Sequence, residues 1–204
     1  REIEPVSAQD FLRFLFPWHG LAPETRRQGP QGLELAVDLL EGFEAPAASW
    51  EADLLPARVG DYDPSWLDSL CLSGRLFWAR LTPPPDTGRK GPRPIRSTPI
   101  ALVSRARESC WSAGRDKAGN GVSADARLVL DTLEARGACF FSDLQRETRL
   151  LKTRLEEALG ELVAMGRITA DGFSGLRALL VPANKRIRQG VARRFTGFAV
   201  EDAG

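Results

Sequence analysis

LKTRLEEALGELVAMGRITADGFSGLRALLV, residues 151–181, decides the fold. Leu151, Leu155, Ala158, Leu159 and Leu162 recur at the spacing of one helix face, and Gly166 stops the run. RITAD, a turn at Gly172-Phe173-Ser174-Gly175 and LRALLV then read as a β-hairpin. Upstream, Ser123 is placed to cap a helix with core positions Leu128, Val129 and Leu133 that ends at Gly137. ACFF reads as a short strand, and Ser142 as the cap of a brief helix over DLQRETR. Helix, strand, helix, helix, strand, wing and strand within residues 122–182 is the order of a winged helix.

The same order recurs, less plainly, over residues 30–104. A helix from Gly32 to Leu40 is followed by a short one over Pro46–Leu55 carrying Trp50 and Leu54. Asp63-Pro64 supplies a cap and a helix-starting proline for SWLDSLCLSG, with Trp66, Leu67, Leu70 and Cys71 facing inward. Arg75–Leu81 reads as a strand covered on both faces. The Pro-rich basic insert Thr82–Pro99 and a second strand at Ile100–Val103 complete the unit. Residues 1–29 hold a helix capped by Ser7 with an apolar face of Phe11, Leu12, Leu15 and Phe16, expected to pack on the rest of the chain. Residues 105–121 form a linker in which Cys110 and Trp111 are expected to pack, and 183–204 is a basic tail. The fold class is therefore α+β, mainly helical, with tandem winged-helix modules.

Composition narrows the function. The chain has 204 residues, with 43% hydrophobic and 27% charged side chains, which excludes wholesale disorder. A net charge of +1 excludes a uniformly basic binder. No apolar run is long enough to span a bilayer. The three cysteines, Cys71, Cys110 and Cys139, are scattered and odd in number, as in a reducing cytoplasm. Arg1 at the start and Met165 as the single methionine suggest a piece of a longer polypeptide.

No phosphate loop, HExxH, GxSxG or CxxC pattern is present. His19 has no second histidine or cysteine nearby, so the sequence shows neither a catalytic nor a metal site. The pairs Glu156-Glu157 and Asp61/Asp63 fit a solvated helix face and a helix start. The five tryptophans, Trp18, Trp50, Trp66, Trp78 and Trp111, mostly suit core positions.

What remains is electrostatic. Positive charge gathers in two extended segments: Arg89, Lys90, Arg93 and Arg96 in the first wing, and Lys185, Arg186, Arg188, Arg193 and Arg194 in the tail. Arg149, Lys152, Thr153 and Arg154 cluster at the start of the second module's last helix, where phosphates are commonly held. Glu156, Glu157 and Glu161 follow on its outer face and disfavour deep major-groove reading. A solvated helix face packed on other modules accounts for the same residues equally well. Phe195 and Phe198 in the tail suit base stacking or the start of a further strand, with the structural role favoured.

Several stretches resemble the Lhr family of large helicase-related proteins. They are EIEPVSAQDFLRFLF, Gly42–Ala47 with Trp50-Glu51, LLPARVGDYDPSWLDSLCLSG, RSTPIALV and RGACFF…DGFSGLRALL, spanning Glu2 to Leu180. The resemblance implies part of the family's C-terminal region, in which winged helices and a β-barrel follow a superfamily-2 helicase core, in a layout similar to AlkZ-type DNA glycosylases. It implies an accessory nucleic-acid-binding role in DNA repair, with DNA and other domains of the parent protein as partners. ATP and Mg would serve the parent helicase, and no cofactor belongs to this segment. A structural or oligomerising module remains open, homo-oligomerisation with it. So does a glycosylase unit whose catalytic residue lies elsewhere, since no QxQ signature appears here.

Overall fold

The computed structural model describes residues 4–82, 84, 94–112, 121–181 and 198–200. Helix α1 (Ala8–Trp18) starts at Ser7, whose Oγ accepts the Asp10 N–H at 3.1 Å. Its aromatic face is left uncovered: Phe11, Leu12, Phe14, Phe16 and Trp18 are all exposed, and no residue of the helix is buried. Among the described residues the helix meets the adjoining turn at Pro23–Thr25, Leu15 is half-buried, and the rest of the face expected to pack is open.

Strand β1 (Arg27–Gln28) leads into α2 (Gly29–Leu39), which buries Leu33, Ala36 and Val37. After β2 (Ala45–Pro46), a π-helical turn at Trp50–Leu54 runs into α3 (Leu55–Arg58), a few residues beyond the helix expected at Pro46–Leu55. Strand β3 (Val59–Gly60) pairs in parallel with β1, tying the entry of α2 to the turn between two helices. Asp63 then caps α4 (Pro64–Leu72), its Oδ1 accepting the Ser65 N–H at 2.8 Å. That bond holds the Asp63 carboxyl below the usual range.

Strand β4 (Leu76–Ala79) is buried along its whole length against β5 (Pro99–Ser104), with β2 on the other side of β5. Period-two alternation divides β4 between two cores. Leu76 and Trp78 enter the main one, while Phe77 and Ala79 meet Ala101, Val103 and Trp111. Trp111 is carried there by α5 (Glu108–Ser112), and its ring lies directly on Gly42, where any Cβ would collide with it. Cys110, expected to pack, is exposed instead.

The second module comprises α6 (Ala124–Arg136), α7 (Phe141–Thr148), α8 (Lys152–Ala164) and β6 (Ile168–Ala170). ACFF shrinks to a single bridging residue, Cys139. Leu128 turns outward while Leu130 is buried, and α7 begins at Phe141 rather than behind a Ser142 cap. The expected hairpin is replaced: Phe173–Leu180 is a helix, α9, and the partner of β6 is β7 (Phe198–Val200). Phe173, Leu176 and Leu180 mark one helical face, and burial on the first module rewards helix over strand there. Phe198 opens a strand.

One hydrophobic core runs through both modules. Trp78, fully buried, donates from Nε1 to the Gly172 carbonyl at 3.3 Å, and its own carbonyl accepts the Thr169 hydroxyl at 2.5 Å. Arg177 of α9 bridges back to Glu51 at 2.6 Å and Asp68 at 2.9 Å. Tyr62 donates its hydroxyl to the same Glu51 at 3.0 Å. Burial and the Glu51 charge push the phenol far above its usual range, so it stays a donor. Among the described residues, no helix is long and apolar enough to cross a membrane.

Candidate nucleic-acid interface

In a winged helix the third helix is the usual reader of the groove. In the first module that helix is α4. Its sequence, PSWLDSLCL, carries no cation, and Leu67, Leu70 and Cys71 face the core. Asp68 is engaged by Arg177. With α9 packed on it, α4 offers no cation to a duplex, and its exposed residues Pro64, Ser65, Ser69 and Leu72 are uncharged.

In the second module the third helix is α8. From Ala158 to Ala164 every residue is buried. Glu161, read from sequence as part of an outer acidic stripe, is 2% exposed, and its Oε1 accepts the Ser123 N–H at 2.8 Å ahead of α6. Glu156 is half-buried, leaving Glu157 as the fully exposed member of that set. The acidic stripe is therefore shorter than expected. What packing covers is the second half of the helix, from Ala158 to Ala164.

The first turn of α8 is different. Thr148 ends α7 with its hydroxyl donating to the Leu144 carbonyl at 2.6 Å. Arg149 then adopts a left-handed backbone, φ 54°, which turns the chain sharply. Leu151 precedes α8 in extended conformation with no side-chain cap, and is 73% exposed rather than part of the buried stripe. The uncapped N–H groups of the first turn sit at the positive end of a 13-residue helix. Arg149, Lys152, Thr153 and Arg154 are all exposed around it.

These four are not equivalent. Arg154 donates from Nε to Asp125 at 2.5 Å, and that carboxylate raises the guanidinium pKa. Its charge is partly offset. Arg149 and Lys152 make no ion pair among the described residues. The cleft beside Arg154, between Ser123, Asp125, Glu157 and Glu161, is lined by three carboxylates and does not suit an anion.

Of the first wing set, Arg96 is described. Its Nη1 donates to the Leu180 carbonyl at 3.0 Å, so it closes the end of α9. That bond brings together the described flanks of the two basic segments, one ahead of Arg96 and one after Val181. Arg89, Lys90, Arg93, Lys185, Arg186, Arg188, Arg193 and Arg194 lie outside the described residues.

Trp50 and Trp78 are fully buried and Trp66 and Trp111 half-buried, whereas Trp18 is exposed and stacks on Phe14 at 5.5 Å. No group of three metal-ligating side chains forms among the described residues.

Two winged helices locked together through the helices that would otherwise enter a groove define a tandem winged-helix unit. Residues 6–105 match the model for the winged-helix domain of the large helicase-related protein. The Lhr helicase/probable uracil glycosylase of Mycolicibacterium smegmatis is 30% identical over 88% of this chain and 11% of its own length. The Lhr helicase/uracil glycosylase of Escherichia coli is 29% identical over 86% of this chain and 12% of its own. The chain belongs to the Lhr family, and it spans about an eighth of the length of these relatives.

Proposed function

We propose that this segment is an accessory nucleic-acid-binding part of the C-terminal region of an Lhr-type ATP-dependent DNA helicase acting in DNA repair in the bacterial cytoplasm. It holds the phosphate backbone and does not read bases. The observation that carries this reading is the uncapped, cation-ringed first turn of α8 on a helix otherwise buried. Arg149 and Lys152 contact phosphates there, with Arg154 and Thr153 beside them. The wing set Arg89, Lys90, Arg93 and Arg96 and the tail set Lys185, Arg186, Arg188, Arg193 and Arg194 follow the strand. ATP and Mg act in another part of the parent protein, whose other domains are this segment's protein partners.

Two other readings have support of their own. The uncovered aromatic face of α1 favours a module that docks other domains or a second copy. The names of both relatives join a helicase to a uracil glycosylase, which favours base excision by the parent with its catalytic residue outside this segment.

Fluorescence anisotropy with labelled single-stranded and duplex DNA over a salt series tests the proposal. Contact with Z phosphates gives a log–log slope of about −0.9Z for duplex and about −0.7Z for single strands. A slope equivalent to roughly three or more phosphates is expected, reduced by about one contact each in Arg149→Ala and Lys152→Ala. A folded sample that does not bind DNA at low salt overturns it.

A further inference from the structure

Three arginines meet where β1 and β3 close the first module. Arg27 stands opposite Val59 in that parallel pair, and Val59 directly follows Arg58, the last residue of α3. Arg58 is 8% exposed. Its Nη1 donates to the Leu54 carbonyl at 2.9 Å, while its Nε is buried with no hydrogen-bond partner. Arg27 Nη1 is buried and unpartnered as well. The Arg27 guanidinium packs on the backbone of Gly20, where a Cβ would collide with Nη1. Arg26 donates from Nη2 to the carbonyls of Pro56 and Val59 and adds a third charge at the exposed edge.

Neither Arg27 nor Arg58 has an ion-pair partner among the described residues. Burial and the charge of Arg27 lower the Arg58 pKa, and no carboxylate acts the other way. A guanidinium does not shed its proton in a protein, so the strain of two like charges half out of water persists. Buried charges of this kind are ordinarily paired, and an unpartnered buried donor costs its full desolvation. A guanidinium fork matches the oxygens of a phosphate, to which it can donate more than one N–H.

We propose that Arg27 and Arg58, with Arg26 at the rim, form a site for a phosphate oxyanion, supplied by a backbone phosphodiester when nucleic acid is bound. The source of the anion rests on the nucleic-acid reading above. The anion chemistry does not.

Thermal unfolding of the whole chain in sodium phosphate, against sodium chloride of equal ionic strength, tests it. Phosphate is expected to raise the Tm by about 3 °C or more, and Arg58→Met to abolish the increment. Methionine fills the position without a charge, so this variant is expected to be no less stable than the parent in chloride. Arg27→Gln serves as the second variant. The Arg58 Nε–H resonance of the unmutated protein, expected to shift on phosphate addition, requires no variant at all. An equal increment in parent and variants, or an unmoved Arg58 resonance, overturns the site.

A saturating oligonucleotide, its binding followed in parallel by anisotropy, separates the sources. If the bound strand removes the phosphate increment, the site takes a backbone phosphodiester. If the strand binds and the increment persists, the backbone is overturned as the source. If no strand binds while the increment remains, the nucleic-acid reading fails and the anion site stands on free phosphate.

Discussion

Trp78→Ala lowers stability by about 3–5 kcal/mol and unfolds both modules together. The indole is fully buried, and its loss leaves a cavity in the core shared by the two winged helices. It also leaves the Gly172 carbonyl without the indole N–H that now donates to it. In a chain of this size the Tm falls by about 10 °C. Calorimetry of the unmutated chain is expected to show one cooperative transition, since a single contiguous core spans both modules. Two separated transitions, with Trp78→Ala shifting one of them alone, would show that the modules are independent.

Arg177→Met is the second large effect, at about 2–4 kcal/mol. The arginine holds Glu51 and Asp68 together, and all three side chains are at least three-quarters covered. Removing the cation leaves two carboxylates close together in a poorly hydrated seam, and Tyr62 then donates to a carboxylate that has lost its counter-charge. Because the cost is an uncompensated charge, adding Glu51→Gln and Asp68→Asn to Arg177→Met restores most of the stability. Chemical denaturation of the three proteins decides the matter. If the triple variant is no more stable than Arg177→Met, then Arg177 acts through its cation–π contact with Phe173 and not through the two carboxylates.

Much of this architecture is legible in the residues. Asp63-Pro64, Ser7 and Ser123 announce their helices because a cap is a local device, decided within a few residues. The two-faced strand around Phe77 and Trp78 is equally local, since alternation with large residues at every position leaves no solvent face. LRALLV misleads because a short apolar run does not distinguish a strand from a buried helix, and the deciding term is the first module's surface beneath it. The true partner of β6 lies far along the chain at Phe198–Val200.

Other features depend on what stands opposite. The aromatic stripe of α1 reads the same whether or not this chain covers it. Glu161 looks solvent-facing by helical period, yet it is buried and accepts a backbone N–H from Ser123. Among the site residues, Arg149, Lys152, Thr153 and Arg154 sit together as their spacing implies. Arg177, Arg27 and Arg58 carried no signal, because single arginines in apolar or turn segments have no pattern until the fold supplies their neighbours.

In the proposed reading the cation-free α4 and the buried second half of α8 favour backbone contact over base readout. The most direct measurement is selection from a random-sequence duplex library by the whole chain at fixed salt. Backbone contact predicts no enriched motif, and affinities for individual duplexes of equal length that agree within about threefold. A defined motif bound about a thousandfold tighter than random sequence would show base readout by a specific surface and would contradict it.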